Sequence, residues 1–181
     1  VTVMDPSVPT YVGFEGVTRT SRHTGVVTRA EGRTIYEIDG RPAAEVYNGW
    51  TDGALDEVME TGGSVLHLTS LHPLGRVVGS SQSRMRLHYR LSHPATVTPS
   101  GAMTVFTDVD EGDKLILMSD SRWGLIPRAG RVALRALEGN RVRTSELSGA
   151  LVVYCAGCML EVQDRMGDVA NQIGRTLANV P

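Results

Sequence analysis

The sequence predicts an α+β fold, a mixed, largely antiparallel sheet with three or four helices packed on it, closing in a β-α-β-α segment. Three observations carry this. Met85, Leu87, Tyr89 and Leu91 alternate with Arg84, Arg86, His88 and Arg90, the period of two of a strand with one buried face. Two β-rich runs flank Glu31-Gly32, which reads as a hairpin turn. Near the end, Ala150-Leu-Val-Val-Tyr-Cys-Ala-Gly-Cys158 leads into a long amphipathic run, the pattern of a buried strand entering a helix.

In chain order, residues 1–10 hold Pro6 and Pro9 without periodicity and suit an extended arm or linker, so residues 11–181 are expected to form a single domain. Residues 11–19 and 26–30 read as strands around a polar turn at 20–25, and 34–38 as the hairpin's second strand. Asp39-Gly40 stops that strand, and Pro42 suits a first helical position, its missing N–H being unneeded there. Ala43, Val46, Tyr47 and Trp50 share a helical face. A second short helix, capped by Thr51 or Asp52, carries Leu55, Val58 and Met59 up to Gly62-Gly63.

Residues 64–71 read as a strand, and Pro73, Gly75, Gly79 and Ser80-Ser81 as a loop. Further strands are expected at 96–97, 103–107 and 114–118, with a turn at 110–113. From Trp123 to Leu137 an apolar stripe faces an arginine stripe of Arg128, Arg131 and Arg135, with Pro127 shortening the helix at its start and Gly139 stopping it. The final helix turns Val162, Met166, Val169, Ala170, Ile173 and Leu177 inward.

Composition narrows the function classes. A chain of 181 residues with net charge −2 can bury one substantial core and offers no basic surface for nucleic acid. No apolar run approaches the ~20 residues of a membrane span, so membrane insertion is not expected and a cytoplasmic location follows by default. Of 18 basic residues only Lys114 is a lysine, a bias that reads either as carboxylate or phosphate recognition by guanidinium forks or, more plainly, as genome composition. The start at Val1 suits a processed or excised piece of a longer protein.

Three stretches together resemble the C-terminal domain of the FIST family. They are Val27-Thr-Arg-Ala-Glu-Gly32 through Tyr36-Glu-Ile-Asp-Gly-Arg-Pro-Ala43 and Val46-Tyr47, then Val109-Asp-Glu-Gly-Asp-Lys-Leu-Ile-Leu-Met118, then residues 150–157 ending in Cys-Ala-Gly. The resemblance implies a sensory domain of a signal-transduction protein that binds a small polar metabolite, amino acids having been proposed, and passes the signal to an attached signalling domain or partner protein. Two departures stand out. Cys158 occupies a position where the family usually has Arg, and the family's strand after the last helix, with its Gly-Glu pair, has no counterpart before Pro181.

The expected ligand-binding residues are Cys155, Ala156, Gly157 and Cys158 at the strand-to-helix turn, with Tyr36, Glu37, Tyr47 and Trp50 lining a pocket between hairpin and helix. Each has a plainer reading: Cys155 as a small buried residue ending a core strand, the aromatics as core, Glu37 as solvated. The alternative function is a thiol-dependent enzyme using the Cys155/Cys158 pair, whose spacing suits redox exchange. His23, His67, His72, His88 and His93 lack metal-ligand spacing, and no phosphate-binding glycine loop or serine nucleophile elbow occurs, so no catalytic residue, metal or cofactor is assigned. The strand at 84–91 could also serve as the edge of a homodimer.

Overall fold

The structure, a computed structural model, describes residues 3, 5–13, 19–81 and 86–181, with backbone alone at 79–81 and 86–88. The chain gathers into two compact units, Thr18–Asp120 and the pair of segments Val1–Val17 and Ser121–Pro181.

Among its described residues the unit Thr18–Asp120 holds nine strands: β1 (Arg19–Glu31), β2 (Thr34–Ile38), β3 (Arg41–Pro42), β4 (Gly63–Ser64), β5 (Leu74–Ser81), β6 (Arg86–Ser92), β7 (Pro94–Val97), β8 (Met103–Val105) and β9 (Lys114–Ser119). Their order is β4-β7-β8-β2-β1-β9-β5-β6, with β3 paired to β2. β1 is the spine. Its first half pairs with β9 (Gly25 opposite Leu115) and its second with β2 (Val27 opposite Ile38). Gly25 sits at the changeover because an added Cβ would stand 2.5 Å from Ile38 Cγ2 and 3.1 Å from the Trp50 ring.

Helix α1 (Ala43–Trp50) follows β3, and a single helical turn, α2 (Leu66–Thr69), follows β4. Val27, Ile35, Ile38, Tyr47, Leu55, Val65, Leu74, Met103, Leu115 and Leu117 form the core. Arg76 ties the far end of the unit. It pairs with Asp113 and donates to Thr107 Oγ1 at 3.2 Å and to the Asp108 carbonyl, which fixes the turn at 110–113.

The unit of Val1–Val17 and Ser121–Pro181 is helical among its described residues: α3 (Arg122–Asn140), α4 (Ala156–Val162) and α5 (Met166–Thr176), the last two joined by a 3-10 turn at Gln163–Arg165. Ser121 caps α3, its side chain accepting the Gly124 N–H at 3.1 Å. α3 and α5 meet at Gly130, where an added Cβ would stand 2.9 Å from Gln172 Cγ and 3.0 Å from Thr176 Oγ1. Leu125, Ala129, Leu137, Val162, Val169 and Leu177 are buried. Gly13 packs on α3 at Val132 and Ala136.

The α+β class, the antiparallel sheet, the hairpin at Gly32, α1 and the turn at 110–113 all match the expectations. Several local readings do not. The stretch 20–25 is strand, not turn: its polar outward residues alternate with half-buried Ser21 and His23 and buried Gly25, which hides the period of two. Pro42 precedes α1 as its cap, with φ −50° and ψ 128°, instead of entering it. The expected second helix is a 3-10 turn at Asp56–Val58. Residues 64–71 hold α2, whose spacing turns Val65 and Thr69 inward, Thr69 donating to the Pro94 carbonyl at 2.7 Å.

The expected loop at 73–81 is β5; Gly75 is there because an added Cβ would meet Met118 Sδ at 2.9 Å on β9. Residues 11–13 carry no regular structure, and 14–18 lie outside the described residues, as do parts of the alternating stretch 84–91, of which 86–92 are strand β6. α3 runs through Pro127, because Ser121 starts it two turns upstream, and it ends one residue past Gly139, where Arg141 takes the left-handed conformation (φ 56°).

The largest difference is at 151–154. These residues pair with no strand among those described, and Leu151, Val152 and Val153 are exposed. β-branched apolar composition favours a strand only where a neighbouring backbone supplies the ladder, and here the adjoining Ala150 N–H donates to the Pro181 carbonyl instead (2.9 Å). Among the described residues the closing segment is therefore helical, and every strand pairing is antiparallel. Among the described residues no helix is long and apolar enough to cross a membrane.

Candidate functional site

α4 begins at the Cys-Ala-Gly-Cys motif. Cys155 is its N-cap, extended at φ −66° and ψ 129°, and its carbonyl accepts the Met159 N–H at 2.9 Å as the first helical bond. Cys155 is exposed, Cys158 half-buried, and Gly157 buried between them. Cys155 Sγ leans over the first turn, 3.8 Å from where a Cβ on Gly157 would stand. Arg128 Nη2, reaching across from α3, donates to Cys158 Sγ at 3.4 Å.

A second guanidinium meets α4 further along: Arg122 Nε lies 4.0 Å from Glu161 Oε2. Arg122 and Arg128 of α3 thus contact α4 at Glu161 and at Cys158. Beside Arg122 lies a shallow, widely open depression lined by Arg122, Gln163 and Asp164. Gln163 Nε2 donates to the Leu160 carbonyl at 3.1 Å, and Arg165 stacks over Trp123 (5.1 Å) while donating to Asp168 at 2.8 Å. One cationic, one anionic and one amide side chain on a single rim can receive a ligand that carries both charges.

The other four expected site residues fall in the sheet unit. Tyr47 is fully buried in the core, its hydroxyl donating to the His72 carbonyl at 2.8 Å, and burial pushes the phenol well above its ordinary pKa. Trp50 packs against that core and stacks on His23, ring centroids 6.4 Å apart. Tyr36 and Glu37 are half-buried neighbours on β2 that share Arg29: its guanidinium lies 4.9 Å from the Tyr36 ring centroid and 3.5 Å from Glu37 Oε1.

Arg122, Arg128, Gln163 and Asp164 were absent from the sequence-based set. Arg128 read as one of a wet arginine stripe, and nothing in sequence links it to Cys158, thirty positions on. Gln163 and Asp164 are brought to the rim by the 3-10 turn that interrupts the expected continuous helix. Among the described residues no three His, Cys, Asp or Glu side chains gather as a metal set.

The family model for the FIST C domain matches residues 43–181. No curated protein and no solved structure matches the chain.

Proposed function

We propose that this chain, which belongs to the FIST C domain family, a family of sensory-type domains, binds a small polar metabolite and reports its presence to a signalling domain or partner protein. The family match over residues 43–181 carries the reading. The depression at Arg122, Gln163 and Asp164 supports a ligand of zwitterionic chemistry, an amino acid: the guanidinium takes the carboxylate, Asp164 the ammonium, and the Gln163 amide bridges them. In binding, a carboxylate competes with Glu161 for Arg122, which loosens the contact between α3 and α4. The ligand shifts the helical unit between two arrangements only as far as its affinities for them differ.

The test is a thermal-shift screen of the whole chain against amino acids, matched monocarboxylates and matched amines. A zwitterion at a hundredfold excess over its Kd should stabilise by ~2.7 kcal/mol and raise Tm by about 5–10 °C. Carboxylate-only and amine-only analogues should do less. Arg122→Ala and Asp164→Asn should each weaken the response at least ~tenfold in affinity, the scale of a lost charge-assisted contact. A response abolished by Cys155→Ser and kept in Arg122→Ala would instead place the ligand at the first turn of α4, against Cys155, Ala156, Gly157 and Cys158. No response from any zwitterion would refute the reading.

A further inference from the structure

We propose that Cys155 and Cys158 are a dithiol–disulfide couple that exchanges with low-molecular-weight disulfides, Cys155 attacking and Cys158 resolving, with Arg128 holding the pair toward its reduced form.

Spacing comes first. A cap residue and the third residue of the helix it caps are three apart, which at helical rise and radius puts their Cα atoms about 5 Å from one another, inside the span a disulfide bridges. Cys155 Sγ lies over the first turn of α4, 3.8 Å from where a Cβ on Gly157 would stand, and Cys158 is the third residue of that same helix. Accessibility then assigns the roles. Cys155 is exposed and can meet a reagent, whereas the half-buried Cys158 needs to reach only the sulfur one turn away.

The environment supplies the third argument. A cysteine that ends a core strand is inert, but residues 151–153 are exposed and so is Cys155, so burial does not protect this thiol. At Cys158 the Arg128 guanidinium donates to sulfur at 3.4 Å, a contact that a thiolate accepts far better than a disulfide sulfur does. The same contact favours Cys158 as a ready resolving nucleophile and the reduced pair over the oxidised one.

The reaction balances in two displacements. The Cys155 thiolate attacks one sulfur of the small disulfide, the reagent's S–S bond breaks, and one thiolate leaves and takes up a proton. The Cys158 thiolate then attacks Cys155 Sγ, the mixed disulfide breaks, and a second thiol leaves. Two protein thiols have lost two electrons and two protons, and one small disulfide has become two thiols. Oxidation removes the sulfur charge facing Arg128, so the redox state of the pair is coupled to the contact between α3 and α4.

The whole chain is equilibrated without oxygen over a series of reduced-to-oxidised glutathione ratios, quenched in acid, alkylated with iodoacetamide and weighed by mass spectrometry. The expected product is a monomer lacking two hydrogens and taking up no alkyl group, its fraction tracking the glutathione ratio. Cys158→Ser should instead accumulate a stable glutathione adduct on Cys155. Cys155→Ser should react at least ~tenfold more slowly, its remaining thiol being the less accessible. Arg128→Gln should move the equilibrium about three- to tenfold toward the disulfide, the range for losing a partly exposed charge-assisted bond.

A parent chain that carries glutathione on either cysteine without closing the internal bridge overturns the couple, and that result needs no variant to fold. An equilibrium within twofold of the parent in Arg128→Gln, with unchanged far-ultraviolet circular dichroism, overturns the role of Arg128.

Discussion

Placing a lysine at position 153 separates two accounts of the apolar segment before α4. If residues 151–154 were a buried core strand, Val153→Lys would force an ammonium into the core and cost several kcal/mol. In the structure Val153 keeps 91% of its surface. Full burial of a valine side chain contributes about 1.5–3 kcal/mol, so with a tenth of the surface covered only ~0.2–0.3 kcal/mol is at stake. Val162, at 1% exposure a few residues on, is the control. Val162→Ala removes two methyl groups at about 0.8 kcal/mol each and leaves a cavity, so it should cost about 2 kcal/mol. Urea unfolding followed by circular dichroism measures both. Val153→Lys should fall within ~0.5 kcal/mol of the parent. A loss above ~1.5 kcal/mol would show that the segment is covered in the folded protein, and would remove the basis for treating Cys155 as an accessible thiol.

Two further outcomes follow from buried polar groups in the sheet unit. Tyr47→Phe removes the donor to the His72 carbonyl at 2.8 Å and should cost about 1–2 kcal/mol, a Tm decrease of about 2–8 °C by calorimetry; an unchanged Tm would mean that the bond contributes nothing. His93, whose Nε2 lies 3.1 Å from the Ser70 carbonyl, has its pKa lowered by burial, partly offset by that hydrogen bond. The folded state therefore binds fewer protons there than the unfolded state, so His93's contribution to stability is present above pH ~6.5 and is lost as pH falls through the folded pKa. His93→Gln should flatten stability across that window, and a parent profile that is already flat from pH 7 to 5 would refute the assignment.

What the sequence made legible was whatever a local rule decides. β2, its stop at Asp39-Gly40 and α1 followed from β-branched composition, two left-handed positions (φ 51° and 71°) and a helical apolar face, none of which needs a distant partner. What escaped was decided by neighbours far along the chain. Gly75 reads as loop, yet it is strand, because the missing Cβ makes room for Met118 of β9. Ser21 and His23 read as turn, yet β9 pairs with that stretch on either side, at Thr20 and Thr24. Single-turn α2 is too short to display a period at all.

The same division runs through the candidate sites. The cysteine pair and its place at a helix start were plain in the sequence, but their chemistry depends on exposure and on Arg128, and both are tertiary facts. Exposure overturns the plain reading of Cys155 as a core residue. It also separates the two proposals, because Arg122 contacts α4 at Glu161 and Arg128 contacts it at Cys158, one turn apart on the same helix. On the two proposals, a ligand carboxylate would act on the first contact and oxidation on the second, and either signal would loosen α3 from α4. If both operate, ligand and oxidant are linked: saturating zwitterion should favour the disulfide, and the disulfide should tighten zwitterion binding by the same factor, since coupling between sites is reciprocal. Glutathione equilibria measured with and without the ligand test that equality, and unequal factors would mean that the two contacts do not bias one common rearrangement.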